Sequence, residues 1–166
     1  KLGFQKEYPN AIPLTIGFFD GVHLGHQRIF ETVRNIRQDD GHSYGITFSS
    51  HPAHVFERTP PPLISTLSQK IELLKNQGLD SLFLLPFNKE ISDQTAESFI
   101  RELKEKLFFT HLVLGPGATI GKDRQGDEEL LYLLSRKYSF EFVEVPPFIV
   151  DHHVVSSTRI RSDIAE

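Results

Sequence analysis

Cysteine is absent from this 166-residue chain, which excludes a disulfide framework and any thiolate chemistry. Methionine is absent too and the chain opens on Lys1, so it is read as a fragment or a processed product of something longer. Contiguous motifs therefore carry more weight than the distances between them. No apolar run is long enough to cross a bilayer and no secretory leader is visible, so a cytoplasmic setting without a membrane partner is expected. A formal net charge of −4 gives no general attraction to nucleic acid or anionic lipid, and neither is expected as a partner. What remains is ordinary for a soluble globule, with 39% apolar and 24% charged residues, and the length suits one compact domain over residues 1–166.

Apolar runs alternate with helix-like stretches. Residues 12–16 read as a buried strand and the stretch from Gln27 to about Arg37 as a helix. Strands follow at residues 44–48, 81–85, 111–114 and 140–145. Between them lie helices over residues 66–74, on the amphipathic face Ala96, Phe99, Ile100, Leu103 and Leu107 (capped by Thr95 or Ser92), and over residues 128–137 behind an Asp127 cap. Residues 49–63 carry four prolines and read as a long irregular loop. This alternation predicts an α/β, doubly wound, mostly parallel sheet. Such sheets bind ligands beyond the carboxyl ends of their strands, where the strand order reverses.

The most informative segment is Gly17-Phe18-Phe19-Asp20-Gly21-Val22-His23-Leu24-Gly25-His26. It joins the first strand to the first helix, so free backbone N–H groups and a positive helix end point at one spot, as a phosphate requires. His23 and His26 share one face there and can donate to phosphate oxygens as charge rearranges. Two other readings are open at this point. Paired imidazoles can hold a metal, but no third ligand stands at a motif spacing such as His-Glu-x-x-His, so no protein-held metal is expected. They can also be unremarkable surface or core histidines, which the surrounding glycines make the poorer account. The dinucleotide fingerprint Gly-x-Gly-x-x-Gly is missing.

A second motif, Ser156-Ser157-Thr158-Arg159-Ile160-Arg161, opens the last helix. One hydroxyl suffices to cap a helix. Three, followed by Arg159, can also grip a polyphosphate through the helix dipole and a planar guanidinium. His152-His153 reads as an exposed or structural pair. Lys122-Asp123-Arg124 reads as a solvated loop, with a lid over the crevice as the functional alternative.

Gly-x-Phe-Asp-Gly-Val-His-x-Gly-His, with Ser-Ser-Thr-x-Ile-Arg near the end, resembles the His-x-Gly-His nucleotidyltransferase superfamily with its Rossmann-like sheet. The wording Phe-Asp-Gly-Val-His-Leu-Gly-His-Gln is similar to the FMN adenylyltransferase (FAD synthetase) module of bacterial bifunctional riboflavin kinase/FAD synthetases. Thr47-Phe48 with His51-Pro52, Lys70-Ile71-Glu72-Leu73-Leu74, Pro86-Phe87-Asn88, Phe99-Ile100 and Arg124-Gln125-Gly126-Asp127 extend the likeness over residues 14–164. The resemblance implies transfer of AMP from ATP to FMN, giving FAD and pyrophosphate, with Mg²⁺ accompanying ATP. It implies catalytic roles for His23, His26 and Arg159. Nucleotide contacts would come from Gly17, Phe18, Phe19, Asp20, Gly25, Gly115, Ser156, Ser157, Thr158 and Arg159, and flavin contacts from Phe48, His51, Pro52 and Phe56. Asp20 would be at most an indirect partner of Mg²⁺. A riboflavin kinase domain would belong to a full-length protein and not to these residues.

The chain departs from the family in two places. The loop after the fourth strand, normally Gly-x-Asp/Asn-Phe-x-Phe-Gly, reads Gly115-Pro116-Gly117-Ala118-Thr119-Ile120-Gly121, and the usual Pro-His-Pro reads Ser50-His51-Pro52. The first change motivates one alternative, a catalytically impaired nucleotide- or flavin-binding module; another adenylyl- or cytidylyltransferase of the superfamily is the other.

Overall fold

The computed structural model describes residues 10–56 and 59–165. Five strands, β1 (Pro13–Ile16), β2 (Tyr44–Phe48), β3 (Ser81–Leu85), β4 (His111–Leu114) and β5 (Glu141–Glu144), form one sheet in the order β3-β2-β1-β4-β5, with every pairing parallel. The chain winds outward from β1 through β2 to β3, then returns to the far side of β1 with β4. The order therefore reverses between β1 and β4, and the crevice beyond their carboxyl ends is the expected ligand position.

Strand periodicity divides the core into two faces. Leu14, Ile46, Leu112 and Leu114 point into one layer, against Phe99, Ile100 and Leu103 of α4 (Ala96–Leu107) and Leu131 and Leu134 of α5 (Glu128–Lys137). Val113 points the other way, against Ile29, Phe30 and Val33 of α1 (Leu24–Ile36) and Leu74 of α2 (Leu67–Lys75). Helices on both faces make the sheet doubly wound, and the near-total burial of β1 and β4 is what parallel central strands require.

The helices begin where side-chain caps exist. Thr66 and Gln69 form a reciprocal capping box at α2, Thr95 caps α4, and Asp127 caps α5. Ser92 caps nothing. It lies inside a short helix, α3 (Lys89–Asp93), whose cap is Asn88 and which the proline-bounded sequence does not reveal. Within the loop of residues 49–63, Pro52–Phe56 forms a 3-10 turn. A two-strand antiparallel hairpin, β6 (Ile149–Val150) and β7 (His153–Val154), precedes α6 (Ser157–Ala165). Its turn residues Asp151 and His152 both have positive φ, the hairpin geometry that suits right-twisted strands. His152 and His153 are exposed there, and His153 Nδ1 meets its own turn at the Asp151 carbonyl.

Candidate active site

The β1–α1 connection is a strained turn held from three sides. Phe19 (φ 53°), Gly21 (φ 74°) and Val22 (φ 43°) are all left-handed. For a β-branched residue such as Val22 this conformation is costly, on the order of 1–3 kcal/mol. The Asp20 carboxylate offsets it. It is 2% exposed and accepts hydrogen bonds from the Ile64 and Ser65 backbone N–H groups (3.0–3.1 Å) and the Ser65 hydroxyl (3.1 Å). The Arg161 guanidinium of α6 completes the set at 2.7 Å. Burial alone would push the Asp20 carboxyl up, but these donors outweigh it and hold the group below its ordinary value. Gln27 closes the other end of the turn by donating to the Val22 carbonyl at 3.0 Å.

The result is a pair of stacked imidazoles at the start of α1. His23 is the N-cap, its Nδ1 accepting from the His26 backbone N–H at 3.4 Å, and the two rings lie 3.6 Å apart at 19°. The accepting Nδ1 fixes the tautomer of neutral His23 with its proton on Nε2, available for donation. His26 packs edge-on to Phe19, and its Nδ1 is buried without a hydrogen-bond partner among the described residues. Burial is the main cause that lowers both histidines, and for His26 it acts with the neighbouring His23 to bring the value to about 3. Both rings are therefore neutral N–H donors at neutral pH. Gly25 is required beside them: a Cβ there would stand 3.1 Å from the His23 ring and 3.3 Å from the Val155 carbonyl.

Two cavities meet at this turn. One, of about 350 Å³, is walled by Gly17, Phe18, Phe19, His23, Gly25 and His26 on the α1 side, by Gly115 and Pro116 beyond β4, and by residues 146–148 and 154–157. The N-termini of α1 and α6 both open into it, which favours an anion. The other, of about 420 Å³, shares Ile16, Gly17, Phe18 and Ala118 with the first and is mostly apolar, with Phe48, Pro52, Phe87, Ile91, Phe99 and Ile120 in its wall. It has the size and lining of a site for a flat aromatic ring system.

The structure thus brings His23, His26, Gly17, Phe18, Phe19, Gly25, Gly115, Ser156 and Ser157 to one cavity, and Phe48 and Pro52 to its neighbour. Ser156 caps α6 by accepting from the Arg159 backbone N–H (3.3 Å), while the Ser157 hydroxyl donates to the Asp20 carbonyl (3.4 Å). Asp20 faces inward to its donors and is in neither wall. Thr158 is exposed, and Arg159 pairs with Asp163 one turn along α6 (3.5 Å), away from both linings. His51 stands against the Phe18 ring (4.9 Å, nearly perpendicular), behind the flavin-sized cavity. The expectation for the Phe56 side chain lies outside the described residues. The 122–124 turn borders the apolar cavity: Asp123 and Arg124 both line it with positive φ, and Arg124 donates to Thr119 (3.3 Å). Sequence reasoning assigned no role to Lys70 or Arg161, although both lie inside quoted motifs. Lys70 is 3% exposed and donates to the Phe18 (3.0 Å) and Phe48 (2.7 Å) carbonyls.

Comparison with known proteins agrees with this geometry. A bifunctional riboflavin kinase/FMN adenylyltransferase from Buchnera aphidicola is 32% identical over 97% of this chain and 52% of its own length. An FAD synthetase from Listeria monocytogenes is 31% identical over 93% of this chain and 63% of its own. The chain therefore spans between half and two thirds of the length of these relatives. A crystal structure from Streptococcus pneumoniae, described as a macrolide-efflux protein, superposes with a TM-score of 0.79 at 28% identity, over 95% of this chain and 53% of that one. Among the described residues no helix is long and apolar enough to cross a membrane. The FAD synthetase family model matches residues 5–159, from before β1 into the first turn of α6, and the chain belongs to that family.

Proposed function

We propose that this chain transfers AMP from ATP to the phosphate of FMN, working in the cytoplasm as the adenylyl-transfer module of a flavin-cofactor enzyme. The observation that carries the reading is the pair of joined cavities. An apolar one suits an isoalloxazine, and one built from two helix N-termini, two neutral imidazoles and two serines suits a polyphosphate. They meet at Gly17 and Phe18, so a flavin phosphate in the first is presented to a nucleotide phosphate in the second.

In the reaction a phosphate oxygen of FMN attacks the α-phosphorus of ATP. The new P–O bond joins the two nucleotides as FAD, and the α–β bridging bond breaks with its electrons leaving on pyrophosphate. No proton needs to be abstracted from the FMN phosphate at neutral pH, so the protein's work is positioning and charge stabilisation. His23 and His26, held neutral by burial, donate N–H groups towards the oxygens where charge accumulates. Ser156, Ser157 and the α6 N-terminus hold the β and γ phosphates, and Arg159 releases Asp163 to join them when the triphosphate is present. Mg²⁺ arrives as part of the ATP substrate, held by phosphate oxygens and water. No cluster of three or more potential ligands stands among the described residues, and the Asp20 carboxylate is fully committed to its donors. The riboflavin kinase activity named for the bifunctional relatives is assigned to none of the residues described.

Incubation of the chain with ATP, Mg²⁺ and FMN should yield FAD and pyrophosphate in equal amounts. Pyrophosphate release with another phosphorylated acceptor but not FMN would move the chain elsewhere in the superfamily. Flavin binding with no product from any nucleotide would make it a binding module.

A further inference from the structure

Lys70 is a buried cation whose carboxylate neighbours do not reach it: none lies within 4 Å among the described residues. Its ammonium has three N–H bonds. Two end on the carbonyls of Phe18, just beyond β1, and Phe48, the last residue of β2, and the group sits 3.8 Å from the centroid of the Phe18 ring. With the residue 3% exposed, the ammonium faces the protein interior and not an open cavity. An apolar side chain of the same length would fill the space without desolvating an ion, but would leave the two carbonyls without the hydrogen bonds of the ammonium. What the charge does provide is a tie between two strand ends. Phe18 is shared by both cavities, and Phe48 walls the apolar one.

We propose that Lys70 is a positioning residue for the flavin: its ammonium clamps the Phe18 and Phe48 carbonyls together and so sets the width of the apolar cavity where it joins the polyphosphate cavity. This rests on the FMN reading above. The other groups facing the clamp are Asp20 of the β1–α1 turn, which attracts the ammonium, and His26 of α1 and His51 of the loop after β2, whose charged forms it disfavours. Glu72, further along α2, is exposed.

Burial brings Lys70 down from 10.5 to about 8, which gives the clamp a separable pH signature. Unfolded chains bind the Lys70 proton up to about 10.5 while the folded chain releases it near 8, so folding stability gains from this group as pH rises across that window. Flavin affinity, which needs the charged clamp, falls across the same window. A merely structural lysine would give the same stability trend and leave flavin affinity unchanged.

The test is FMN affinity of the chain, read by flavin fluorescence, with melting temperature followed in parallel for the unaltered protein, Lys70→Met and Lys70→Arg. Loss of hydrogen bonds from a charged donor predicts FMN binding weaker by about tenfold or more in Lys70→Met. ATP affinity should fall less than FMN affinity, because only Phe18 of the two clamped residues lines the polyphosphate cavity whereas both line the apolar one. Lys70→Arg, which stays charged, should bind FMN independently of pH. Equal FMN affinity in Lys70→Met, or a pH-dependent loss that persists in Lys70→Arg, overturns the proposal. Should the variants fail to fold, the unaltered chain still decides: FMN affinity that falls across the window while the chain stays folded supports the clamp, and affinity unchanged across it refutes the proposal. Failure of the unaltered chain to bind FMN at neutral pH overturns the flavin reading and this proposal with it.

Discussion

Replacing Asp20 by Ala tests whether the β1–α1 turn is held in its strained shape by one buried carboxylate. The substitution removes every acceptor at once. It leaves the Ile64 and Ser65 N–H groups without their partner and strands the Arg161 guanidinium, whose side chain is only 17% exposed. Removing one member of a buried ion pair costs about 3–5 kcal/mol. For a chain of this size that is a drop in melting temperature of roughly 10 °C. Activity should fall further than stability, because the turn that presents His23 and Gly25 is free to relax from its left-handed conformations. Asp20→Asn separates the contributions. The amide still accepts from the two backbone N–H groups but turns an N–H toward Arg161, so an intermediate loss is expected. The acid limb gives a second reading. The folded Asp20 value lies below its ordinary value of 3.8, so its stabilisation is present above that value and lost as pH falls through the lowered one. Asp20→Asn should lack this part of the acid transition. A thermal midpoint for Asp20→Ala within about 2 °C of the unaltered chain would correspond to at most about 1 kcal/mol and would refute the argument that this carboxylate supports the turn.

Removal of the His26 ring by His26→Ala should lower kcat by about 10²–10³, as for loss of one preorganised donor to a developing charge, while FMN affinity stays unchanged; equal loss of both would make His26 a binding or structural residue. Because His26 is held near 3 when folded and titrates at 6.5 when unfolded, the unfolded chain binds the extra proton between those values. Folding stability should therefore decline as pH falls from about 6.5 towards 3, and urea titrations of His26→Gln should show a shallower decline.

The long strands and capped helices were legible because each carried its own local signal. β2, β3, β4 and α5 begin and end where alternation, an Asp127 cap or a following proline says they should. The parts that stayed hidden are those that local sequence does not specify. α3 is five residues long, too short for a helical period to register. The β6–β7 hairpin places Asp151 and His152 at positive φ without the Asn-Gly or Asp-Gly pair that announces such a turn. At the site, a helix start with two histidines three residues apart was enough to place both rings on one face. Their separation of 3.6 Å and their shared neutrality follow from burial under Phe19 and α6, which only the tertiary structure supplies.

Asp20 shows why residue type and motif position together still misassign a role. An acidic residue next to Gly21, three residues before a histidine proposed to face phosphates, invites a place beside the nucleotide. A carboxylate there would repel the same oxygens the histidines attract, unless its charge were neutralised. The fold neutralises it by sending Arg161 from the other end of the chain, 141 positions away, to a distance of 2.7 Å. The two motifs proposed to face the phosphates are thus joined behind the cavity by an ion pair, while Ser157 joins them at the backbone through the Asp20 carbonyl. Arg161 and Arg159 sit two positions apart on α6, so they project to different sides of the helix. One is spent on holding α6 against the β1–α1 turn, which leaves Arg159, whose one ion pair among the described residues is an exposed one with Asp163, as the guanidinium proposed to exchange that partner for a phosphate. On that proposal an Arg159→Lys substitution should weaken ATP binding without lowering the melting temperature, whereas Arg161→Lys should lower both, because it loosens α6 from the β1–α1 turn.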